Sequence, residues 1–138
     1  MIKIGFPLEV EDKWPPYEVE SINVDVVEGG YFFKNIPFFV RYISHEDILY
    51  VKLYEQNYVI EWRHLKKSKN TTPWIMEKEP SDILNEIEAL GFGVEGGAIP
   101  ELYSINVPGL LKFDQIDGLI SKYQESGIIE VAYPSFRH

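Results

Sequence analysis

The chain has 138 residues, of which 25% are charged and 14% aromatic, and its formal net charge is −9 at pH 7. It contains no cysteine, which excludes thiol catalysis, zinc-thiolate sites and iron–sulfur clusters. The first residues lack the unbroken apolar core of a signal peptide, and no stretch reaches the length needed to cross a bilayer. We therefore expect a soluble, cytoplasmic protein.

The acidic residues are concentrated in the second half of the sequence. Residues 1–69 hold 9 Lys/Arg and 11 Asp/Glu, whereas residues 70–138 hold 4 and 11. A negative surface repels nucleic-acid phosphates and anionic lipid, and it speeds the approach of a cationic protein. We therefore expect neither nucleic acid nor a membrane as a partner.

The first half of the sequence is typical of β structure. Predicted strands at residues 19–27 and 31–33 flank Gly29-Gly30, whose positive φ angles suit a tight hairpin turn. A second hairpin is predicted from residues 48–54 and 58–65, with its turn at Glu55, Gln56 and Asn57. Both alternating faces of its first strand are partly apolar: Leu49, Val51 and Leu53 on one, and Ile48, Tyr50, Lys52 and Tyr54 on the other. Two partly buried faces predict a small antiparallel β-sheet or barrel over residues 1–69.

A polar run from Lys66 to Pro73 separates this part from a different pattern. Residues 73–138 read as βαββαβ, and each helix ends at a glycine, Gly91 or Gly127. The predicted strands are 74–77, 92–99, 102–107 and 128–133, and the helices begin at Pro80 and near Phe113. This order predicts a ferredoxin-like α+β unit, with both helices on one face of a four-stranded antiparallel sheet.

Three segments of the sequence resemble a bacterial family known as domain of unknown function 4265. They are FPLEVEDKWPPYEVES at residues 6–21, NIPFF at residues 35–39 and ILNEIEALGFGVEGG at residues 83–97. The likeness extends over most of the chain. It supports a β-rich part followed by an α/β part, and it implies no reaction, cofactor or catalytic residue.

The segment NIPFF places two large aromatic side chains after a proline. Pro37 cannot donate a hydrogen bond to a β ladder, so we expect the segment to end the preceding strand. Phe38 and Phe39 are then expected to plug the open end of the sheet. A functional alternative is an aromatic groove for a peptide or planar ligand between the two halves, lined by Trp14, Phe38, Phe39, Tyr42 and Trp62.

No catalytic constellation is visible in the sequence. Ser44, His45 and Asp47 are too close in sequence to aim at one another as a triad, and we expect Ser44 and Asp47 to pair in a turn. His64 is expected to be a structural, hydrogen-bonded histidine. The glycine pairs at 29–30 and 96–97 lack the lysine and the following helix of a phosphate-binding loop. We therefore expect no enzyme, no metal site and no cofactor.

Charge and composition favour a protein-binding function. Four carboxylates, Glu79, Asp82, Glu86 and Glu88, lie on or beside the first predicted helix and can imitate the phosphates of nucleic acid. Our first hypothesis is an acidic immunity protein that neutralises a basic toxin, for example a nuclease effector domain. The alternative is a small-molecule-binding regulatory or sensor domain that uses the aromatic groove. A monomer and a homodimer both fit the sequence.

Overall fold

The computed structural model describes residues 2–55, 57–96, 99–109 and 113–138. The chain divides into two compact units, Met1–Ser68 and Lys69–His138. Antiparallel sheets dominate and two helices accompany them, so the predicted α+β class is confirmed. Gln56, in the second predicted turn, and Gly97, in the second glycine pair, lie outside the described residues.

The first unit contains five strands. They are β1 (Ile2–Pro7), β2 (Val19–Val27), β3 (Gly30–Phe33), β4 (Ile48–Tyr54) and β5 (Tyr58–Lys66). The strands form a closed barrel in chain order, and consecutive strands are antiparallel. β1 and β5 run parallel and close the barrel through one residue pair in the described part of the chain, Gly5 with Tyr58.

Alternate side chains of the strands fill the barrel. The buried core consists of Ile4, Phe6, Ile22, Val24, Phe33, Val40, Ile43, Leu49, Val51 and Val59. Phe6 and Phe33 meet edge to face, with 5.5 Å between ring centroids. Leu49 and Val51 are buried two residues apart, as the alternation predicts. Leu53 is only partly buried, and the pairing register with β5 shifts between Lys52 and Leu53.

The first hairpin turn differs from its prediction in one respect. The turn residues are Glu28 and Gly29, and Gly29 has a φ angle of +77°. Gly30 is instead the first residue of β3, where an added Cβ atom would lie 2.4 Å from the carbonyl oxygen of Leu49. The second glycine is therefore required by close strand packing rather than by a positive φ angle.

The second unit contains four strands and two helices. They are β6 (Thr72–Glu77), α1 (Ile83–Ala89), β7 (Gly93–Glu95), β8 (Leu102–Asn106), α2 (Phe113–Glu125) and β9 (Ile129–Ser135). The strand order is β7-β8-β6-β9, and every neighbouring pair is antiparallel. Helices and sheet share one buried core of Ile75, Ile83, Ile87, Phe92, Ile105, Val107, Ile116, Ile120 and Ile129.

The helix ends follow the predicted pattern more closely than the helix starts. Gly91 and Gly127 have φ angles of +91° and +75° just after the two helices, as predicted. α1 begins at Ile83 rather than at Pro80, and the backbone N–H of Ile83 donates to the hydroxyl oxygen of Ser81 at 3.4 Å. The strand predicted over residues 92–99 is described only from Gly93 to Glu95, and residues 97 and 98 lie outside the described part.

Candidate binding surfaces

Four aromatic side chains of the barrel unit form one group, which we call the aromatic patch: Trp14, Tyr17, Phe38 and Phe39. Phe39 lies at its centre, with ring centroids 6.0 Å from Trp14, 5.8 Å from Tyr17 and 5.1 Å from Phe38. Phe38 and Phe39 are each 7% exposed, whereas Trp14 and Tyr17 are 42% and 47% exposed. The two phenylalanines therefore pack against their own aromatic partners, and other residues fill the barrel core.

One carboxylate positions the phenylalanines of the patch. Glu20 of β2 accepts hydrogen bonds from three successive backbone N–H groups: Phe38 at 2.6 Å, Phe39 at 2.8 Å and Val40 at 2.9 Å. Just before them, Asn35 Oδ1 accepts a 2.6 Å bond from the backbone N–H of Asn23, also on β2. The NIPFF segment ends β3 as predicted, and it is then held along β2 by these bonds.

A tight hairpin presents Trp14. Glu11 and Trp14 exchange two backbone hydrogen bonds of 2.9 Å, and the intervening Asp12 and Lys13 have φ angles of 50° and 65°. Four exposed carboxylates occur in the chain on either side of the ring, Glu9, Glu11, Asp12 and Glu18. The indole is consequently displayed at the surface in a predominantly acidic segment.

The other two residues of the predicted groove have different surroundings. Trp62 of β5 packs against the barrel core and meets the His64 ring at 5.3 Å, nearly perpendicular. Tyr42 is largely exposed at a position with a φ angle of 69°. The structure thus brings together Trp14, Phe38 and Phe39 of the predicted set, and adds Tyr17, which the sequence argument did not include.

Asp47 is the centre of a buried polar network in the barrel unit. Its carboxylate accepts bonds from the backbone N–H groups of Ser44 (2.9 Å) and Ser68 (2.8 Å), and lies 3.0 Å from Nε2 of His64. The side chain of Asp47 is 0% exposed. The expected Ser44–Asp47 turn pair and the hydrogen-bonded His64 are both observed. The network links the 44–47 turn to the last residue of the unit.

A groove of about 490 Å³ opens where β1 meets β5. Its lining comprises Lys3, Ile4, Gly5, Val19, Ser21, Tyr54, Glu55 and Tyr58. Tyr54 and Tyr58 are cross-strand partners with exposed rings. This groove was not predicted from the sequence, in which the aromatic residues on the outer face of β4 were the signal for it.

The predicted partner-binding carboxylates lie around α1. Glu79, Asp82 and Glu88 are exposed, and the side chain of Asp82 makes no capping hydrogen bond. Glu86 is partly buried and accepts a hydrogen bond from the hydroxyl of Tyr123 on α2. Three of the four therefore face solvent, whereas the fourth also ties the two helices together.

The second helix extends the acidic surface beyond the prediction. Asp114, Asp117 and Glu125 of α2 are exposed, and Lys122 is the basic residue of that helix. Together with Glu79, Asp82, Glu86 and Glu88 they make what we call the helical acidic surface. Among the described residues of this unit an ion pair joins Lys78 and Glu130 at 2.9 Å, and it involves none of the seven carboxylates of this surface.

Two tyrosines of this unit have raised pKa values. The hydrogen bond to Glu86, partial desolvation and the charges of Glu86 and Asp82 raise the pKa of Tyr123 to about 12. Burial, with a smaller effect of Asp117, raises the pKa of Tyr133. Both shifts favour the neutral phenol, as expected beside carboxylates.

No three His, Asp or Glu side chains of the described ranges converge into a metal-binding group. Among the helices in those ranges, none is long and apolar enough to span a membrane.

The sequence profile of the family described as Domain of unknown function (DUF4265) matches residues 20–131. The chain belongs to this family. The matched range of DUF4265 contains Glu20, the NIPFF segment and both helices, and it starts after Trp14 and Tyr17. The resemblance inferred from the sequence is confirmed.

One solved structure shares the fold along the whole chain. It is described as a novel crystal structure of a hypothetical protein from Neisseria gonorrhoeae, with a TM-score of 0.79 and 19% sequence identity. The alignment covers 100% of this DUF4265 chain and 98% of the other. No curated protein matches the chain. At this identity the likeness concerns the fold alone.

Proposed function

We propose that this DUF4265 protein is a non-catalytic binding module that captures a cationic protein through its helical acidic surface. The partner class that fits best is a basic toxin domain such as a nuclease, which would make the protein an acidic immunity protein of the cytoplasm. The observation that carries the proposal is a set of seven carboxylates on or just before α1 and α2, whereas within the two helices as described the one lysine is Lys122.

Two features of this surface support the proposal. Exposed carboxylates that outnumber the lysines beside them give a surface a negative potential, which steers a basic partner and raises its association rate. The hydrogen bond from Tyr123 to Glu86 and the shared core of Ile83, Ile87, Ile116 and Ile120 hold α1 against α2. A rigid arrangement lowers the entropic cost of binding.

The four-stranded sheet supports a finer description of the second unit. We propose that it is a ferredoxin-like βαββαβ domain, because the order β7-β8-β6-β9 with antiparallel neighbours is the arrangement expected of that motif. In this arrangement both helices lie on one sheet face, which makes their outer sides available to a partner.

The test begins with cross-linking in the native host to identify the partner, followed by binding kinetics with purified components. The variant combines Glu79→Gln, Asp82→Asn and Glu88→Gln, and it spares Glu86 so that the helix contact remains. We expect the association rate constant to fall on the order of tenfold at low salt, because three steering charges are removed.

A matched control combines Glu28→Gln, Glu55→Gln and Glu61→Gln, exposed residues of the barrel unit. It changes net charge equally and should alter the rate less than about twofold if the location of the charges matters. Equal losses in both variants, or a partner with an acidic interface, would contradict the proposal.

The groove between β1 and β5 favours a second candidate, a small-molecule-binding regulatory or sensor domain. A volume of about 490 Å³ is within the range of ligand sites. Tyr54 and Tyr58 offer ring surfaces, while Lys3, Ser21 and Glu55 offer polar contacts. A metabolite that raises the melting temperature of the natural protein but not of Tyr54→Ala would support this candidate, and equal rises in both would count against it.

A further inference from the structure

We propose that the aromatic patch is a docking point for an arginine side chain of a protein partner. The inference deepens the proposed function, since it names a side chain that a cationic partner supplies. It concerns the barrel unit and depends on none of the carboxylates of α1 or α2.

The aromatic patch offers two exposed rings that are held in fixed positions. Trp14 and Tyr17 each contact the buried ring of Phe39, so two half-exposed aromatic surfaces are fixed around a common base. The three bonds from Phe38, Phe39 and Val40 to Glu20 hold that base in place. An aromatic face attracts a cation through its quadrupole, and tryptophan does so most strongly.

The segment that carries these rings is also acidic. Glu9, Glu11, Asp12 and Glu18 are exposed in the same segment, against one cation, Lys13. A surface of this sign repels anionic ligands and concentrates cations at the rings. Trp14 and Tyr17 remain half exposed, which suits a side chain delivered by a folded partner better than a free small molecule that needs an enclosing site.

Arginine fits this combination better than lysine. Its planar guanidinium stacks flat on an indole and can donate paired hydrogen bonds to an adjacent carboxylate. The ammonium of lysine is more strongly hydrated and lacks the flat surface.

The experiment titrates the full-length protein with the peptide acetyl-Gly-Arg-Gly-Arg-Gly-amide and follows the indole N–H resonances by NMR. The Trp14 resonance is assigned by its disappearance in Trp14→Phe. A second peptide carries citrulline, the uncharged analogue, in place of arginine. We expect the arginine peptide to shift the Trp14 resonance and the citrulline peptide to leave it in place.

Two variants test the rings and the charges separately. Trp14→Ala should weaken arginine-peptide binding on the order of three- to tenfold. Tyr54→Ala removes an exposed ring that belongs to none of the ring contacts of the patch, and it should leave binding within about twofold. The double variant Glu11→Gln with Glu18→Gln keeps the ring packing and should also weaken binding. The Glu11→Gln, Glu18→Gln double variant still tests the proposal if Trp14→Ala disrupts the packing of the patch.

Equal shifts with both peptides, or a Trp14 resonance unmoved by millimolar arginine peptide, overturn the inference. The variant with Glu79→Gln, Asp82→Asn and Glu88→Gln separates this outcome from the proposed function. It should retain the Trp14 shift, because the aromatic patch uses none of those residues. If this variant loses the protein partner but keeps the Trp14 shift, the result supports arginine binding at the aromatic patch independently of the helical acidic surface.

Discussion

A carboxylate that accepts several backbone hydrogen bonds can contribute more to the free energy of unfolding than a carboxylate in a surface ion pair. Glu20 accepts three such bonds and is itself partly buried, so its charge stabilises the segment that carries Phe38 and Phe39. Charge-assisted hydrogen bonds are stronger than neutral ones, and removing their acceptor leaves the donors unsatisfied.

We predict that Glu20→Ala lowers the free energy of unfolding by about 3 kcal/mol, because three N–H groups lose their acceptor. Glu20→Gln should cost less, since one oxygen remains. Urea denaturation gives the change, and near-ultraviolet circular dichroism reports the packing of Trp14 on Phe39. Glu18→Ala, at an exposed neighbouring position, is the control and should change stability by less than about 0.5 kcal/mol.

At the scale of elements, the two helices are joined by a bond that depends on protonation. The hydroxyl of Tyr123 on α2 donates to Glu86 on α1, and the pKa of Tyr123 is raised to about 12. The folded state therefore holds the phenolic proton more tightly than the unfolded chain does, where the pKa is about 10. The resulting stabilisation is complete below pH 10 and is lost as the pH rises through 12.

We predict that Tyr123→Phe is less stable than the natural protein at neutral pH, and that the difference narrows between pH 10 and pH 12. Denaturation at a series of pH values checks the difference, and tyrosinate absorbance should show one late-titrating group fewer in the variant. Tyr54→Phe, which removes an exposed hydroxyl, should keep the natural pH profile. A gap that stays constant above pH 10 would contradict the assignment to Tyr123.

Elements were easier to predict from sequence than the contacts between them. Strands and helices could be placed because they depend on patterns among nearby residues. Examples are the alternation of Leu49 and Val51 and the four-residue spacing of Ile116 and Ile120. β1 was missed although Ile2, Ile4 and Phe6 alternate, because a six-residue strand at the start of a sequence has no preceding turn to mark it.

Binding surfaces depend on contacts that a single sequence does not display. Glu20 bonds to residues eighteen to twenty positions away, and Glu86 to a residue 37 positions away. The groove combines residues of β1, β2 and the β4–β5 hairpin. Aromatic and acidic residue types could be recognised in advance, whereas the inclusion of Tyr17 in the patch and of α2 in the acidic surface required the folded chain.

At the scale of the whole molecule, a net charge of −9 on 138 residues opposes folding through self-repulsion. We predict that raising the ionic strength from about 0.02 to about 0.15 M increases the melting temperature by a few degrees, because screening weakens this repulsion. The variant with Glu79→Gln, Asp82→Asn and Glu88→Gln should gain less from salt. Calorimetry at both ionic strengths checks this. If the variant gains as much from salt as the natural protein, the repulsion does not come from these three carboxylates.

The closure of the barrel by Gly5 and Tyr58 makes the two sides of β1 unequal. The N–H of Gly5 points to β5, where it donates to the carbonyl oxygen of Asn57, so the amide of Lys3 points to the same seam and that of Ile4 points to β2. In deuterated water, Lys3 should therefore exchange its amide hydrogen well before Ile4. Since β1 pairs with β2 over six residues and with β5 through one described pair, we expect the barrel to open first at the seam between β1 and β5.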